Sequence, residues 1–248
     1  MTRSLLVFLG VLSMATVGCD DKKSAPESPE KAASTAPTPA ADAPKAEEPK
    51  KAPPKLVMYV DGSGVSVGGQ VFDAKREDLE SAVAAALKGG AFTIPDPLEI
   101  AVARQALVPT VRSLVGALRA HGDKSVVLKT ATRKGDLAAL PVVVDGASLK
   151  SVTATGIGKD GAIAIWPAAG GAARKKSRGF AGPDLTLGGE MLAKSVSEGG
   201  AIVYNGDAMV QWGLVFDLAM TRVDYKNAST APVAIAASAY EPGKKVSF

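Results

Sequence analysis

The sequence holds 248 residues, and its 29 Lys and Arg exceed its 25 Asp and Glu by only four, so the formal net charge is +4. A nucleic-acid-binding protein is expected to carry a basic face or stripe, and this small excess does not indicate one. The single cysteine and single histidine exclude an internal disulfide, multi-cysteine metal sites and most pairs of nucleophile and base. With aromatic residues at 5%, a stacking platform for bases or sugars is not expected either.

A short export signal opens the chain. Arg3 precedes an apolar run over residues 5–14, which is too short to span a bilayer because a spanning helix needs about 20 apolar residues. Small residues then lead to Cys19, and this arrangement resembles the lipobox of bacterial lipoproteins. The resemblance implies that residues 1–18 are a signal peptide and that Cys19 is lipidated as the new N-terminus. The alternative is an incidental cysteine in an ordinary signal peptide.

The expected location is therefore the bacterial cell envelope, with a lipid anchor and the folded part facing the periplasm. Asp20 directly follows Cys19. An Asp at this place favours retention in the inner membrane in some bacteria, but the rule differs between lineages. The choice between inner and outer membrane stays open.

Residues 19–55 are predicted to be the lipidated cysteine followed by a disordered tether. Residues 20–55 contain eight of the sixteen prolines, and their seven acidic residues balance seven lysines. No apolar periodicity is present, and such a composition cannot bury enough surface to fold. A Pro-rich chain is semi-extended, at about 3.1 Å per residue, so the tether gives the folded part reach from the membrane.

A first module is predicted over residues 56–135. Two strands joined by a turn are expected at 56–60 and 65–67, and later strands at 98–102 and 126–128. Two helices with apolar stripes alternate with them, the first ending at Gly89-Gly90 and the second at Gly122. The stripes consist of Leu79, Ala82, Val83, Ala86 and Leu87, and of Val111, Leu114, Val115 and Leu118. The order is ββαβαβ.

A second, diverged module is predicted over residues 136–248, because the same order of patterns returns there. Strands are expected at 152–155, 162–166, 201–204 and 233–236, with helices following Asp184 and Met209. The predicted fold class is α+β, with two tandem ββαβαβ two-layer sandwiches that each place their helices on one face of a small mixed sheet. The other face of each sheet is expected to meet solvent, a partner or the second copy.

Residues 55–133 resemble the periplasmic domain of the ExbD/TolR biopolymer-transport family. The stretches that carry the resemblance are KLVMYVDGSGVSVGGQ, DLESAVAAALK, LEIAVARQALVPTVRSLVGALRAHG and KSVVLKTATR. The resemblance implies a domain that dimerises and engages a protein partner or the cell wall. Members of the family carry a transmembrane helix with an Asp implicated in proton coupling, whereas the apolar run here has no acidic residue. Only the binding role is therefore carried over, as a homodimer or by pairing of the two modules.

A glycine-rich segment at residues 156–161 matches the spacing G-x-G-x-x-G. A dinucleotide-binding loop has to lead from a strand into a helix. The residues that follow alternate like a strand, so a hairpin turn is the preferred interpretation.

A dense basic run is formed by Arg174, Lys175, Lys176 and Arg178, in what is predicted to be a loop. Contact with anionic phospholipid or acidic cell-wall polymer is one interpretation, and a solvated loop is the other. Trp166 is the candidate for an aromatic side chain that faces a partner, with a core position as the alternative.

Other titratable residues have structural explanations. His121 lies at a helix end, where a cation complements the helix dipole, and the acidic residues 77, 78 and 80 lie near a helix start. Trp212 and Phe216 are four residues apart on one helix face and are expected in the core. No catalytic residue, metal ligand or cofactor is predicted.

The expected function is that of an envelope lipoprotein whose modules bind a protein partner or cell-wall polymer, as an accessory to a biopolymer-transport or motor complex without a proton-coupling helix. One alternative is an envelope enzyme that acts on peptidoglycan or a lipid through carboxylates. Another is a purely structural lipoprotein spacer.

Overall fold

The structure is a computed structural model that describes residues 53–248. These residues belong to one compact unit, Lys50–Phe248. Cys19, the signal peptide and the tether up to residue 52 lie outside the described residues. Lys55, which was predicted to belong to the tether, already forms a bridge with Thr93, so the folded part begins slightly before residue 56.

The first module is one mixed sheet with two helices. Its elements in chain order are β1 (Met58–Val60), β2 (Gly64–Val67), β3 (Gln70–Asp73), α1 (Leu79–Gly89), β4 (Leu98–Val102), α2 (Val108–His121), β5 (Ser125–Ala131) and β6 (Leu137–Val143). The strand order is β3-β2-β1-β4-β5-β6. Strands β1, β4 and β5 are parallel, and the outer strands pair antiparallel.

The second module repeats this arrangement. Its elements are β7 (Thr153–Ile157), β8 (Ile163–Pro167), β9 (Arg174–Lys176), α3 (Leu185–Ser195), β10 (Ile202–Gly206), α4 (Trp212–Thr221), α5 (Lys226–Ser229) and β11 (Val233–Ile235). The strand order is β9-β8-β7-β10-β11, and β7, β10 and β11 are parallel. The two modules therefore share one topology.

The predicted fold class is confirmed, since the chain is α+β with two tandem sandwich-like modules. The structure adds β3, β6 and β9 to the predicted strands, together with the short helix α5. Strand β6 pairs with β5, so the first sheet continues past residue 135, where the sequence placed the boundary between the modules. Pro141 has no backbone N–H to donate, and it is tolerated in β6 because this strand lies at the edge of its sheet.

Local sequence explains the helices and the orientation of the sheet. Pro109 lies in the first turn of α2, and Gly122 ends this helix with φ of 104°, a conformation that glycine adopts at little cost. Along β5, Val126 and Leu128 are buried under the helices, while Val127 and Lys129 are partly exposed on the other side. The helices thus cover one face of the first sheet, as the alternating pattern predicted.

One hydrophobic core runs through both modules. It contains Val83 and Leu114 from the first module and Leu192, Trp212 and Phe216 from the second. The prediction that Trp212 and Phe216 are core residues is confirmed, because both side chains are fully buried.

The modules meet where α2 and α4 begin, through two reciprocal backbone hydrogen bonds. Val108 donates its N–H to the carbonyl of Val210 at 3.0 Å, and Trp212 donates its N–H to the carbonyl of Ala106 at 2.7 Å. Donors and acceptors hold equivalent places in the two modules, so the contact has the form of an isologous two-fold interface. Leu107, which precedes α2, is not a capping residue, and neither helix has a side-chain cap. The first amide of each helix, which has no acceptor within its own helix, therefore donates to a carbonyl of the other module.

Polar side chains reinforce this interface. Arg104 donates two hydrogen bonds to the Asp217 carboxylate, at 2.8 and 2.7 Å, and Arg133 donates a third at 2.7 Å. The Trp212 indole N–H donates to the Thr130 hydroxyl at 2.9 Å, and both residues are buried. Burial alone would raise the pKa of Asp217, but the hydrogen bonds from the two arginines outweigh it and hold the pKa below its usual value.

The variant Asp217→Asn is expected to lower the free energy of unfolding by about 1–3 kcal/mol at neutral pH, because it removes charge-assisted hydrogen bonds from a partly buried site. The folded-state pKa lies below the unfolded value, so this contribution is complete above the unfolded pKa of about 3.9 and disappears as the pH falls through the folded one. Urea denaturation across this pH range measures the difference.

The control is Glu99→Gln, which removes an exposed ion pair with Lys129 and should cost less. A loss in Asp217→Asn that stays constant down to strongly acidic pH would contradict the role assigned to its charge.

Candidate functional site

Three of the four residues of the basic run lie in an edge strand and not in the predicted loop, and Arg178 follows that strand. Residues Arg174–Lys176 form β9, which pairs with β8 and lies at the end of the second sheet. Strand pairing of Arg174 with Ile165 and of Lys175 with Ala164 places these two cations on opposite faces of the sheet. Positive charges on an edge discourage pairing with another chain, which explains why a strand of this composition is tolerated there.

An aromatic residue that the sequence analysis missed follows this strand. Gly179 and Gly182 bridge each other, so Phe180 stands at the tip of a tight turn and is fully exposed. Arg178 is exposed beside it. The signal in the sequence was an aromatic residue among glycines directly after a basic run, which is unusual for a core position.

Trp166 does not face a partner, so that interpretation is wrong. Its side chain is only 2% exposed, its indole N–H donates to the carbonyl of Lys244 at 2.8 Å, and its ring meets Tyr240 edge-on. Trp166 is buried because residues 237–248, which are distant in sequence, pack over the strand end at which it was expected to be exposed.

The glycine-rich segment is the predicted hairpin turn between β7 and β8. Gly156 has a further purpose, because a side chain there would collide with the carbonyl of Asn205 and the ring of Tyr240. The absence of a side chain lets the Tyr240 ring lie directly on the sheet. Burial raises the pKa of Tyr240, and the nearby carboxylates of Asp160 and Asp207 raise it further.

The outward faces of the two sheets differ, and this is the main asymmetry of the molecule. In the second module that face packs against residues 237–248 in a small apolar cluster that includes Ala164, Val203 and Val246. In the first module the same face carries side chains that are exposed. We call it the open face, and its large apolar members are Val57, Tyr59, Val71 and Leu137.

Strand register identifies the equivalent positions on these faces. Tyr59 pairs with Ala101 in the first sheet, and Gly156 pairs with Asn205 in the second. Tyr59 therefore occupies the position equivalent to Gly156. The residue is 41% exposed, whereas the equivalent position in the second module is covered by Tyr240. The Glu99–Lys129 ion pair, at 2.6 Å, adds charge to the open face.

A cleft of about 910 Å³ opens at one end of the second module. Its walls are the end of α3 and the last residues of the chain, and its floor is the end of β8. Arg174, Lys194 and Lys245 supply its positive charge.

Two other titratable groups in the described residues lie in isolated pairs at helix ends. His121 lies in the last turn of α2 and contacts Asp123, with 3.0 Å between Nδ1 and the carboxylate. Asp78 pairs with Arg76 before α1. Within residues 53–248, no group of three or more His, Cys, Asp or Glu side chains is placed to hold a metal ion. None of the helices in that range is long and apolar enough to cross a membrane.

The chain matches no family model, no curated protein and no solved structure in the three comparisons made with known proteins.

The variant Gly156→Val is expected to lower the free energy of unfolding by about 1–3 kcal/mol, because the new side chain pushes both the Tyr240 ring and the Asn205 carbonyl away from position 156. Residues 237–248 should then be cleaved faster by a protease than in the unmodified chain. Urea denaturation and limited proteolysis measure the two effects.

The matched control is Ala101→Val, on the same face of the first sheet, which nothing covers in the described part of the chain. It should leave stability almost unchanged. An equal loss of stability in both variants would show that Gly156 is not needed for residues 237–248 to pack on the second sheet.

Proposed function

We propose that the chain is a lipid-anchored envelope protein that binds a protein partner on the open face of its first module, without catalysing a reaction. The lipobox around Cys19 supports the anchor, and the Pro-rich tether supports a binding unit held away from the membrane. The resemblance of residues 55–133 to the ExbD/TolR periplasmic domain supports a role as an accessory of a biopolymer-transport complex.

The observation that carries this proposal is the contrast between the two sheets. The chain uses its own residues 237–248 to cover the outward face of the second sheet, with Tyr240 resting on Gly156. On the open face, Tyr59 projects from the equivalent position and is partly exposed. Within residues 53–248, the same topology thus presents one outward face that is covered and one that is uncovered and suited to a partner.

The composition of the open face fits a protein partner. Val57, Tyr59 and Val71 are exposed apolar residues on one side of this face, and the Glu99–Lys129 pair lies on the neighbouring strands β4 and β5. Protein interfaces combine an apolar centre containing aromatic residues with a polar rim. An exposed apolar group of this kind on a folded module is typical of an interaction surface.

The test is site-specific photo-crosslinking in cells, with the photoreactive residue at Tyr59 or Val71. Both positions should trap the same protein, and trapping should fall when Cys19→Ala removes the anchor. The control position is Val223, which is equally exposed but lies beyond α4 in the second module. Trapping of the same protein from Val223, or none from Tyr59, would contradict the proposal.

A second candidate function is contact with an anionic lipid surface through β9 and the turn after it. Phe180 favours it, because a fully exposed aromatic beside Arg178 and the lysines of β9 combines insertion with charge attraction.

Sedimentation with vesicles tests this second function. Binding to vesicles that contain anionic lipid should weaken about tenfold in Phe180→Ser, because the apolar area that inserts into the lipid is lost. Binding should also fall with salt, since each cation contributes about 1 kcal/mol near such a surface. The control Met209→Ser removes another largely exposed apolar side chain, which lies elsewhere in the second module. If both variants bind like the unmodified chain, the contact does not involve this turn.

A further inference from the structure

The cleft in the second module is formed by four separate stretches of chain. The end of α3 gives one wall and residues 245–248 give the opposite wall, while residues 151–153 and the end of β8 with the following segment give the floor. A volume of about 910 Å³ lies within the range of about 300–1,000 Å³ that is usual for small-molecule sites.

Most of this lining offers apolar surface. Ile165, Ala168, Val246 and Phe248 are hydrophobic, and several polar groups are already bonded within the protein. The hydroxyl of Thr153 donates to the carbonyl of Ser195 at 3.2 Å, and the hydroxyl of Ser195 itself donates to the carbonyl of Met191 at 2.8 Å. The walls therefore suit a hydrocarbon body better than a sugar, which would need free hydrogen-bonding groups.

The charged side chains of the cleft are all cationic. Arg174, Lys194 and Lys245 come from β9, α3 and the C-terminal segment, and all three are exposed. None of them forms an ion pair with another residue in the range 53–248. No Asp or Glu side chain lines the cleft. Three cations that line one cleft without a carboxylate leave a positive charge that a ligand can neutralise.

We propose that this cleft binds a single-chain amphiphile with an anionic head, whose carboxylate or phosphate is held by Arg174, Lys194 and Lys245 while its hydrocarbon chain lies against Ile165, Ala168 and Phe248. Arg174 forms the bidentate contacts that suit both heads, and the two lysines add charge. The site is in the second module, so the inference does not depend on the partner face of the first.

The test is calorimetric titration of residues 50–248, a compact unit with its own core, at amphiphile concentrations below micelle formation. Dodecanoate and dodecyl phosphate represent the two sources of the anionic head, and binding of either one supports the proposal. Dodecyltrimethylammonium has the same chain with a cationic head and should bind at least about tenfold more weakly, a difference of about 1.4 kcal/mol. Inorganic phosphate and acetate should give no measurable heat.

Two variants on one strand provide the matched control. Arg174→Glu should weaken dodecanoate binding by about tenfold or more. Lys175→Glu makes the same change of charge one residue along, but it lies on the other face of the sheet and outside the lining, so it should change binding less than about twofold. Ala172→Trp, which fills the mouth of the cleft, should abolish binding while the far-ultraviolet circular dichroism stays unchanged.

Four results would overturn the proposal. The first three are equal binding of the cationic and anionic amphiphiles, equal losses in Arg174→Glu and Lys175→Glu, and the absence of binding by both anionic amphiphiles. The fourth is inorganic phosphate that binds as tightly as dodecanoate, because charge alone would then account for the site. Crosslinking from Tyr59 should persist in Arg174→Glu, so failure here is distinguishable from failure of the proposed function.

Discussion

The reciprocal backbone bonds between the starts of α2 and α4 are the constraint on which the rest of the structure depends. A helix that begins without a capping side chain has free amides, and here each module supplies a carbonyl for the other. The close approach of Val108, at the start of α2, to the second module requires Gly206, because a side chain at position 206 would collide with Val108. Once the helix starts are joined, the Arg104–Asp217 ion pair and the buried Trp212 lie between the modules, and one core extends through both.

The outward faces of the two sheets differ in what covers them. The second module covers its face with residues 237–248 and has, at one end, an open cleft with a cationic lining. In the described part of the chain, nothing covers the equivalent face of the first module, where Tyr59 is partly exposed. Two modules with one topology therefore present different surfaces.

Periodicity in the sequence predicts the helices, the central strands and the shared topology, because these depend on which residues face the core. It does not predict β9, since a run of three cations has no strand pattern and is held there by pairing with β8. The sequence left open whether Trp166 faces a partner or the core, because its cover comes from Tyr240 and Lys244, far along the chain. The open face could be expected only in general terms, because the sequence does not show which of the two sheets is covered.

Hydrogen exchange of the amides of Val108 and Trp212, resolved by nuclear magnetic resonance in residues 50–248, tests the pairing of the modules most directly. If the two modules are joined at their helix starts, both amides are protected to the same degree as the central strands β4 and β10, because they exchange only when the whole unit opens. Exchange of these two amides at the rate of exposed loop amides, with the central strands still protected, would show that the modules are not paired and would contradict the account.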